Sequence, residues 1–191
     1  SQAVGMGKAL AENNYFVSDT NYGWGPDGIG DRTDITDWPA WFTGAQSAGY
    51  LGALYRENEQ HCEYTRTAAD PGGENRIVMF KSCFPNSNLE GKPTDRAARG
   101  EGLTVANAKA IYNDLLKYFA TRPDRLFIAV TAPPVQDSTC AANARAFNSW
   151  LVKDWLADYR GNNVAVFDFY NVLTGPDNHH RLVGGKVEHV Y

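Results

Sequence analysis

Two adjacent polar residues, Asn86 and Ser87, stand just beyond a short apolar run in a sequence of 191 residues. The run, residues 77–80, is too short for a helix and is typical of a strand buried on both faces of a parallel sheet. In open α/β sheets, ligands bind beyond the carboxyl ends of the strands. An asparagine amide and backbone N–H groups at such a place can stabilise the oxyanion of a tetrahedral intermediate. The competing interpretation is that Pro85, Asn86 and Ser87 only form a turn.

A second candidate group is the pair Asp177 and His180, spaced as Asp-x-x-His. A serine nucleophile needs an imidazole as its base and a carboxylate to orient that imidazole, and this spacing can supply both. The flanking residues, Gly175-Pro176 on one side and a hairpin pattern on the other, instead favour a polar surface turn. Cys83 could also act as a nucleophile, although a small buried thiol is the more common role for such a residue.

The loop over residues 19–37 is long and dense in Gly and Asp, and loops of this length are usually functional. It carries Tyr22, Trp24 and Asp31, which we expect to bind substrate, since Trp and Tyr at a loop-rich surface can stack on sugars. Four of its aspartates could offer oxygen ligands to calcium: Asp27, Asp31, Asp34 and Asp37. Their spacing is not that of a calcium-binding helix-loop-helix, and Asp residues in loops usually cap turns and helices. We therefore predict neither a metal site nor a cofactor.

The composition restricts the classes of function. The net charge is -4 and no cluster of Lys and Arg occurs, which argues against nucleic acid and anionic membranes as partners. No apolar run approaches the ~20 residues that span a bilayer. No signal peptide is visible, so such a segment has been removed or was never present. Loops rich in Asn, Gly and Tyr, with little Lys, favour an extracellular or periplasmic protein.

The three cysteines, Cys62, Cys83 and Cys140, allow one disulfide bond or none. No pair of them has the spacing of a structural zinc site. Cys83 follows one predicted strand, and Cys140 comes just after the loop that follows another. We therefore expect a bond between these two, with Cys62 free or paired between chains.

The remaining pattern alternates between strands and helices. Strands are predicted at residues 77–80, 126–131 and 164–169, with a shorter one at 15–17 and a hairpin at 181–191. Helices are predicted at residues 4–13, 38–63, 104–120 and 138–159, the third with Thr104 as its N-cap. Strands that alternate with helices form right-handed crossovers. We therefore predict an α/β fold with a parallel sheet and helices on both of its faces.

Five segments together carry a resemblance to a known family: residues 16–42 (FVSDTNYGWGPDGIGDRTDITDWPAWF), 78–89 (VMFKSCFPNSNL), 126–134 (LFIAVTAPP), 144–151 (ARAFNSWL) and 163–173 (NVAVFDFYNVL). The chain resembles a branch of the SGNH (GDSL-like) hydrolases along nearly its whole length. The resemblance implies one domain over residues 1–191, with a three-layer, flavodoxin-like fold and a serine nucleophile that often acts on acyl esters of sugars. It further implies Gly and Asn as oxyanion donors and an Asp-x-x-His pair near the C-terminus.

Two features of that family are not found where they are expected. The family serine follows the first strand of the sheet, whereas this sequence begins almost directly in a predicted helix. The family Asp-x-x-His opens a final helix, whereas this sequence ends in a hairpin, so we expect catalytic blocks to be missing at both ends. Two functions follow. One is a serine esterase that acts on a small-molecule or glycan ester, and the other is a non-catalytic binding or structural, assembly-forming extracellular module. No feature indicates an oligomeric state.

Overall fold

The computed structural model describes residues 2–135, 137–174, 180–184 and 186–189. The chain divides into two compact units. Unit 1 comprises Ser1–Arg32 and Gly44–Arg76, and unit 2 comprises Thr33–Thr43 and Ile77–Tyr191. A single domain over residues 1–191 stays a prediction.

Helices and strands alternate through most of the described chain. The α-helices are α1 (Gln2–Glu12), α2 (Trp38–Phe42), α3 (Ser47–Arg56), α4 (Val105–Ala120), α5 (Ala141–Lys153) and α6 (Phe169–Leu173). The strands are β1 (Ile77–Lys81), β2 (Leu126–Val130), β3 (Val164–Phe167), β4 (His180–Val183) and β5 (Lys186–His189). Within the described residues, no helix is both long and apolar enough to cross a membrane.

The sheet of unit 2 has three strands in the order β1-β2-β3. Both pairs of neighbouring strands run parallel, which confirms the prediction from the three apolar runs. Parallel neighbours require a crossover connection, and α4 and α5 supply it between successive strands. The carboxyl ends of all three strands therefore lie along one edge of the sheet, where the sequence predicted chemistry.

One face of this sheet carries an aromatic core beneath α2 and α4. Phe80 of β1 and Phe127 of β2 both contact Phe119 of α4, with ring centroids 5.9 and 4.2 Å apart. Phe42 of α2 packs on the same three rings, with centroid distances of 5.3, 5.3 and 6.3 Å. Buried aromatic rings contribute large apolar areas and favourable ring–ring contacts, so this cluster fixes the two helices on the sheet.

The opposite face of the sheet is partly open to solvent in the described structure. Ile77 of β1 is 42% exposed and Phe167 of β3 is 44% exposed. Met79 and Ile128 on the same face are half-buried. The α/β class and the parallel sheet are thus confirmed, whereas a third layer over this second face stays a prediction.

A loop over residues 91–103 leaves and rejoins unit 2 through a narrow neck. The backbone N–H of Glu90 donates to the carbonyl of Leu103 at 2.7 Å, across the base of the loop. The side-chain amide of Asn143, in α5, donates to the carbonyl of Leu89 at 2.8 Å and holds the neck from the other side. These bonds hold the two ends of the loop together, and Arg99 inside the loop forms an ion pair with Asp114 of α4 at 2.9 Å.

The predicted helix over residues 38–63 differs from the structure in two places. It is interrupted at residues 43–46, and it ends at Arg56, the last residue of α3. It ends there because the side-chain amide of Asn75 donates hydrogen bonds to the carbonyls of Leu54 and Glu57, at 3.2 and 2.7 Å. These carbonyls are satisfied without a further helical turn.

The predicted strand at residues 15–17 is wrong. Asn14 has a φ of 66°, which ends α1. The backbone N–H of Tyr15 then donates back to the carbonyl of Leu10 at 3.1 Å instead of to a neighbouring strand. The segment therefore completes the end of a helix.

The other predicted elements agree with the structure more closely. Thr104 caps α4, since the backbone N–H of Asn107 donates to its hydroxyl oxygen at 3.1 Å. The helix predicted over residues 138–159 is shorter, because the N–H groups of Asp154 and Trp155 both bond the carbonyl of Trp150 and form a turn after α5. The predicted hairpin is confirmed by the antiparallel pairing of β4 and β5.

The predicted disulfide bond between Cys83 and Cys140 is not formed. All three cysteines are described, and none of them is joined to another by a disulfide. Two positions beyond the same edge of a sheet share a side of the fold. A disulfide additionally needs Cα atoms only about 4.4–6.8 Å apart. The order of the strands did not show that the Cα atoms of Cys83 and Cys140 are that close.

Candidate functional site

Asn86 lies just past the carboxyl end of β1, in a 3-10 helix formed by Phe84–Ser87, and is only 1% exposed. Its side-chain oxygen accepts from the backbone N–H of Ile35 at 2.7 Å. Its side-chain amide donates to Asp34 Oδ1 at 3.2 Å and to the carbonyl of Cys83 at 3.1 Å. The orientation of this amide is therefore fixed from three directions within unit 2.

The segment Thr33–Thr43 holds this corner in place. The carbonyl of Thr33 accepts from the backbone N–H of Cys83 at 3.3 Å. Trp38 donates its indole N–H to Ser82 Oγ at 3.0 Å, in the buried interior. Backbone and side-chain bonds thus attach the segment to the residues that directly follow β1.

Ser87 connects the end of β1 to the end of β2. Its hydroxyl donates to the carbonyl of Pro133 at 2.6 Å, and the side chain is buried. The end of β2 is connected in turn to the end of β3, since the backbone N–H of Tyr170 donates to Thr131 Oγ1 at 2.7 Å. Two buried hydrogen bonds therefore join the carboxyl ends of the three strands. The hydroxyl of Ser87 donates one of them, and the hydroxyl of Thr131 accepts the other.

Charged groups at this edge include Lys81, the last residue of β1, and the carboxylates of Asp34 and Asp37. Burial lowers the pKa of Lys81, and its ammonium group donates to the carbonyl of Ser82 at 2.9 Å. Deeper in the same unit, burial raises the pKa of Tyr112 to about 12, against the opposing effect of hydrogen bonds with Ser82 and Trp38. The Lys81 cation favours a developing negative charge at this edge, whereas the Asp34 carboxylate, 3.2 Å from the amide nitrogen of Asn86, opposes it.

The three predicted substrate-binding residues belong to unit 1. Asp31 Oδ1 accepts from the backbone N–H of Gly23 at 2.8 Å, and Trp24 donates its indole N–H to Glu57 Oε2. Tyr22 is 75% exposed. Asp31 therefore stabilises the loop internally, and Trp24 attaches the loop to Glu57, directly after α3. Asn86 and Ser87 lie in the other unit, so the predicted site residues fall into two groups.

The second predicted catalytic group is mostly outside the described residues. Asp177 lies outside the described residues, and His180 is described only by its place at the start of β4. The Asp-x-x-His pair therefore stays a prediction. Among histidines with a described side chain, His61 lies in unit 1, with its ring nitrogen Nε2 3.9 Å from Glu57 Oε2.

Among the described residues, a group around His61 in unit 1 could hold a metal ion. Glu57, Glu59 and His61 have ligand atoms that all lie within 4.8 Å of one another. This group was not predicted from the sequence, because Glu-x-Glu-x-His is not a typical zinc or calcium spacing. The signal that could have found it is the occurrence of three potential ligands at every second residue.

A shallow groove of about 630 Å³ lies between the C-terminal parts of α4 and α5. Trp150, Trp155 and Tyr159 are among its lining residues. These parts of the helices lead into the amino ends of β2 and β3, opposite to the edge that carries Asn86. We therefore assign the groove no part in chemistry at the strand ends.

Two residues that matter at this edge were not predicted from the sequence. Asp34 was considered only as a calcium ligand or a cap, and Thr131 only as the end of a strand. Asp34 does begin a 3-10 helix, Ile35–Asp37, and its backbone N–H donates to Asp37 Oδ2 at 3.0 Å. The spacing Asp-x-x-Asp signals that cap, but the contact with Asn86 joins residues 52 positions apart and leaves no local trace.

Comparisons with protein-family models, with curated proteins and with solved structures give no match to this chain.

Proposed function

We propose that this chain is a serine-type esterase of the SGNH class, acting on acyl esters of carbohydrates or other small molecules, with Asn86 as its oxyanion donor. The observation that carries the proposal is the fixed amide of Asn86 at the carboxyl end of β1. In open parallel sheets this edge binds ligands. The five sequence segments that resemble the family support the assignment of the reaction class.

The hydrogen bonds of Asn86 suggest how the amide would act. Its two donated bonds, 3.2 Å to Asp34 and 3.1 Å to Cys83, lie at the long end of the usual range. Catalytic hydrogen bonds are often long in the free enzyme and tighten only in the complex. In our proposal the bond to the neutral Cys83 carbonyl is exchanged for the charged oxyanion, which is the stronger acceptor. Asp34 would keep the amide oriented during this exchange.

A triad also needs a nucleophile and a base. Within this sequence, Asp177 and His180 are the candidates for the orienting carboxylate and the imidazole base. The serine would act with them as one unit, because loss of either the nucleophile or the base removes most of the rate. The proposal also implies a three-layer, flavodoxin-like fold with cover over the face of Ile77 and Phe167, and an extracellular or periplasmic location.

A second candidate function is a non-catalytic binding or structural module. The observation that favours it is that the side chains of Asn86 and Ser87 already have partners within the protein. The hydroxyl of Ser87 bonds Pro133, and Asn86 has three partners. A buried turn needs such satisfaction for its stability alone.

The experiment compares hydrolysis of an acetylated aromatic ester by this chain and by the product of its complete reading frame. We expect Asn86→Ala to lower kcat by about 10²–10³-fold with little change in KM, as for removal of one oxyanion donor. Asn88→Ala is the matched control, since Asn88 is an exposed amide two positions away. His180→Ala tests whether the base lies at this residue.

Circular dichroism of each variant establishes that it is folded before its rate is interpreted. A folded Asn86→Ala variant with the full rate would remove the oxyanion role. Loss of turnover in His180→Ala would place the base at this residue. Absence of hydrolysis in both products, with the fold intact, would favour the non-catalytic module.

A further inference from the structure

Residues 57–61 of unit 1 bring three potential metal ligands together. Directly after α3 the backbone becomes extended at Glu57, with φ -63° and ψ 126°. Past this point the side chains of Glu57, Glu59 and His61 converge, although they belong to every second residue. Their ligand atoms all lie within 4.8 Å of one another. This arrangement is independent of the esterase proposal.

The imidazole of His61 is the member of the group that lacks a partner. Its Nε2 atom is buried and has no hydrogen-bond partner. Its distance to Glu57 Oε2 is 3.9 Å, which is too long for a hydrogen bond. Two ligands placed about 2.1 Å from a tetrahedral zinc ion lie roughly 3.4 Å apart. The observed spacing is therefore closer to that of two ligands around one ion than to that of a bonded pair.

Neighbouring groups hold the segment in this conformation. Trp24 donates its indole N–H to Glu57 Oε2, and the backbone N–H of Glu59 donates to Glu57 Oε1 at 2.6 Å. Asp19 fixes the other end, since its Oδ1 accepts from the backbone N–H of His61 at 2.8 Å. Hydrogen bonds from outer groups orient metal ligands in the same way in known sites.

We propose that Glu57, Glu59 and His61 form a binding site for a divalent transition-metal ion of the zinc type. An imidazole with two carboxylates suits such an ion, whereas calcium and magnesium take oxygen ligands throughout. Three protein ligands leave a fourth position for water or another small ligand. The ion would supply the partner that His61 Nε2 lacks, and it would offset two adjacent negative charges.

The test is calorimetric titration of the full chain with zinc chloride after removal of metals by a chelator. We expect one saturable site per chain. Glu59→Gln and His61→Gln should each weaken zinc binding by at least about tenfold, and Trp24→Phe by about 10–100-fold through loss of ligand orientation. Cobalt(II) titration gives a second measurement, since His61→Gln should alter the visible spectrum of the bound ion.

The controls separate this site from other sources of zinc affinity. Glu63→Gln removes a nearby exposed carboxylate outside the group and should leave the affinity unchanged. A variant in which His179, His180 and His189 are replaced by Asn should also bind normally. Absence of saturable zinc binding would overturn the proposal. So would unchanged binding in folded Glu59→Gln and His61→Gln, or loss of binding in the triple variant.

Discussion

Different kinds of interaction stabilise the interior of each of the two units. In unit 2, aromatic side chains from strands and helices are buried against each other, as Phe119 is against Phe127. In unit 1, carboxylates add to buried side chains such as Leu51: Asp19 accepts from the backbone N–H of His61, and Asp27 accepts from the hydroxyl of Tyr50. Regular elements satisfy their own backbone, whereas irregular chain needs side chains to do so.

This difference has a consequence for how each unit responds to substitution. Apolar burial is roughly proportional to area, so its loss depends mainly on how many atoms are removed. A side-chain hydrogen bond depends on one residue, and its loss leaves a specific buried partner without its bond. We therefore expect the stability of unit 2 to depend mainly on the volume of its buried side chains. The stability of unit 1 should depend more on which residue occupies a given position.

The largest effect is expected in the aromatic core of unit 2. Phe119→Ala should lower the free energy of unfolding by about 3–5 kcal/mol, because Phe119 is 0% exposed and its removal leaves a cavity. Urea unfolding followed by circular dichroism measures the change. Phe84→Ala deletes the same atoms from a residue that is 50% exposed and should cost roughly half as much, because only part of the side chain is removed from water. Equal losses in the two variants would contradict a stability based on burial.

A smaller effect is expected in unit 1 at Asn75. Asn75→Ala should cost about 1–3 kcal/mol, because the carbonyls of Leu54 and Glu57 both lose their donor. Hydrogen exchange of the amides around residues 54–57 should accelerate with it. Asn58→Ala is the control, since the amide of Asn58 makes an exposed bond to Asp70. If both variants behaved alike, the distinction between the units would not hold.

The smallest effect concerns the pH dependence of unit 2. Burial raises the pKa of Tyr112 to about 12, whereas an unfolded tyrosine has a pKa of 10.0. Below pH 10 both states keep the proton. As the pH rises from 10 towards 12, the unfolded chain loses its proton first, so stability falls. Tyr112 should contribute about 1 kcal/mol to the fall between pH 9 and 11.

Urea unfolding of wild type and Tyr112→Phe at the two pH values isolates this contribution, since other tyrosines act equally in both proteins. The variant should lose less stability than wild type as the pH rises. The same pH dependence in both would show that Tyr112 ionises normally in the folded protein.

The fold of unit 2 could be predicted because its signals are local. The apolar runs of β1, β2 and β3, and the cap at Thr104, each show in a few consecutive residues. The parallel pairing followed from the helices between the strands. In unit 1, by contrast, α3 ends at Arg56 because of Asn75, which is distant along the chain. The helical periodicity continued past residue 56, and it carried no information about the hydrogen bonds from Asn75 that end the helix.

The candidate site divides in a similar way. Asn86 and Ser87 were found from their place after an apolar run, and their positions at the end of β1 agree with that reasoning. Their partners Asp34 and Pro133 come from other parts of the chain, and only the folded structure brings them into contact. The clustering of Glu57, Glu59 and His61 occurs after the end of α3 at Arg56, where the sequence indicated that the helix continued.

The neck at the base of the loop over residues 91–103 makes this segment suitable for grafting. The bond between Glu90 and Leu103, with Asn143 holding Leu89, sets the spacing of the two ends whatever joins them. Doubling the length of a flexible loop costs only about 0.6 kcal/mol of closure entropy. A foreign epitope or peptide tag inserted between the exposed residues Arg96 and Ala97 would thus be displayed from unit 2, whereas an insertion at Arg99 would break its 2.9 Å ion pair with Asp114.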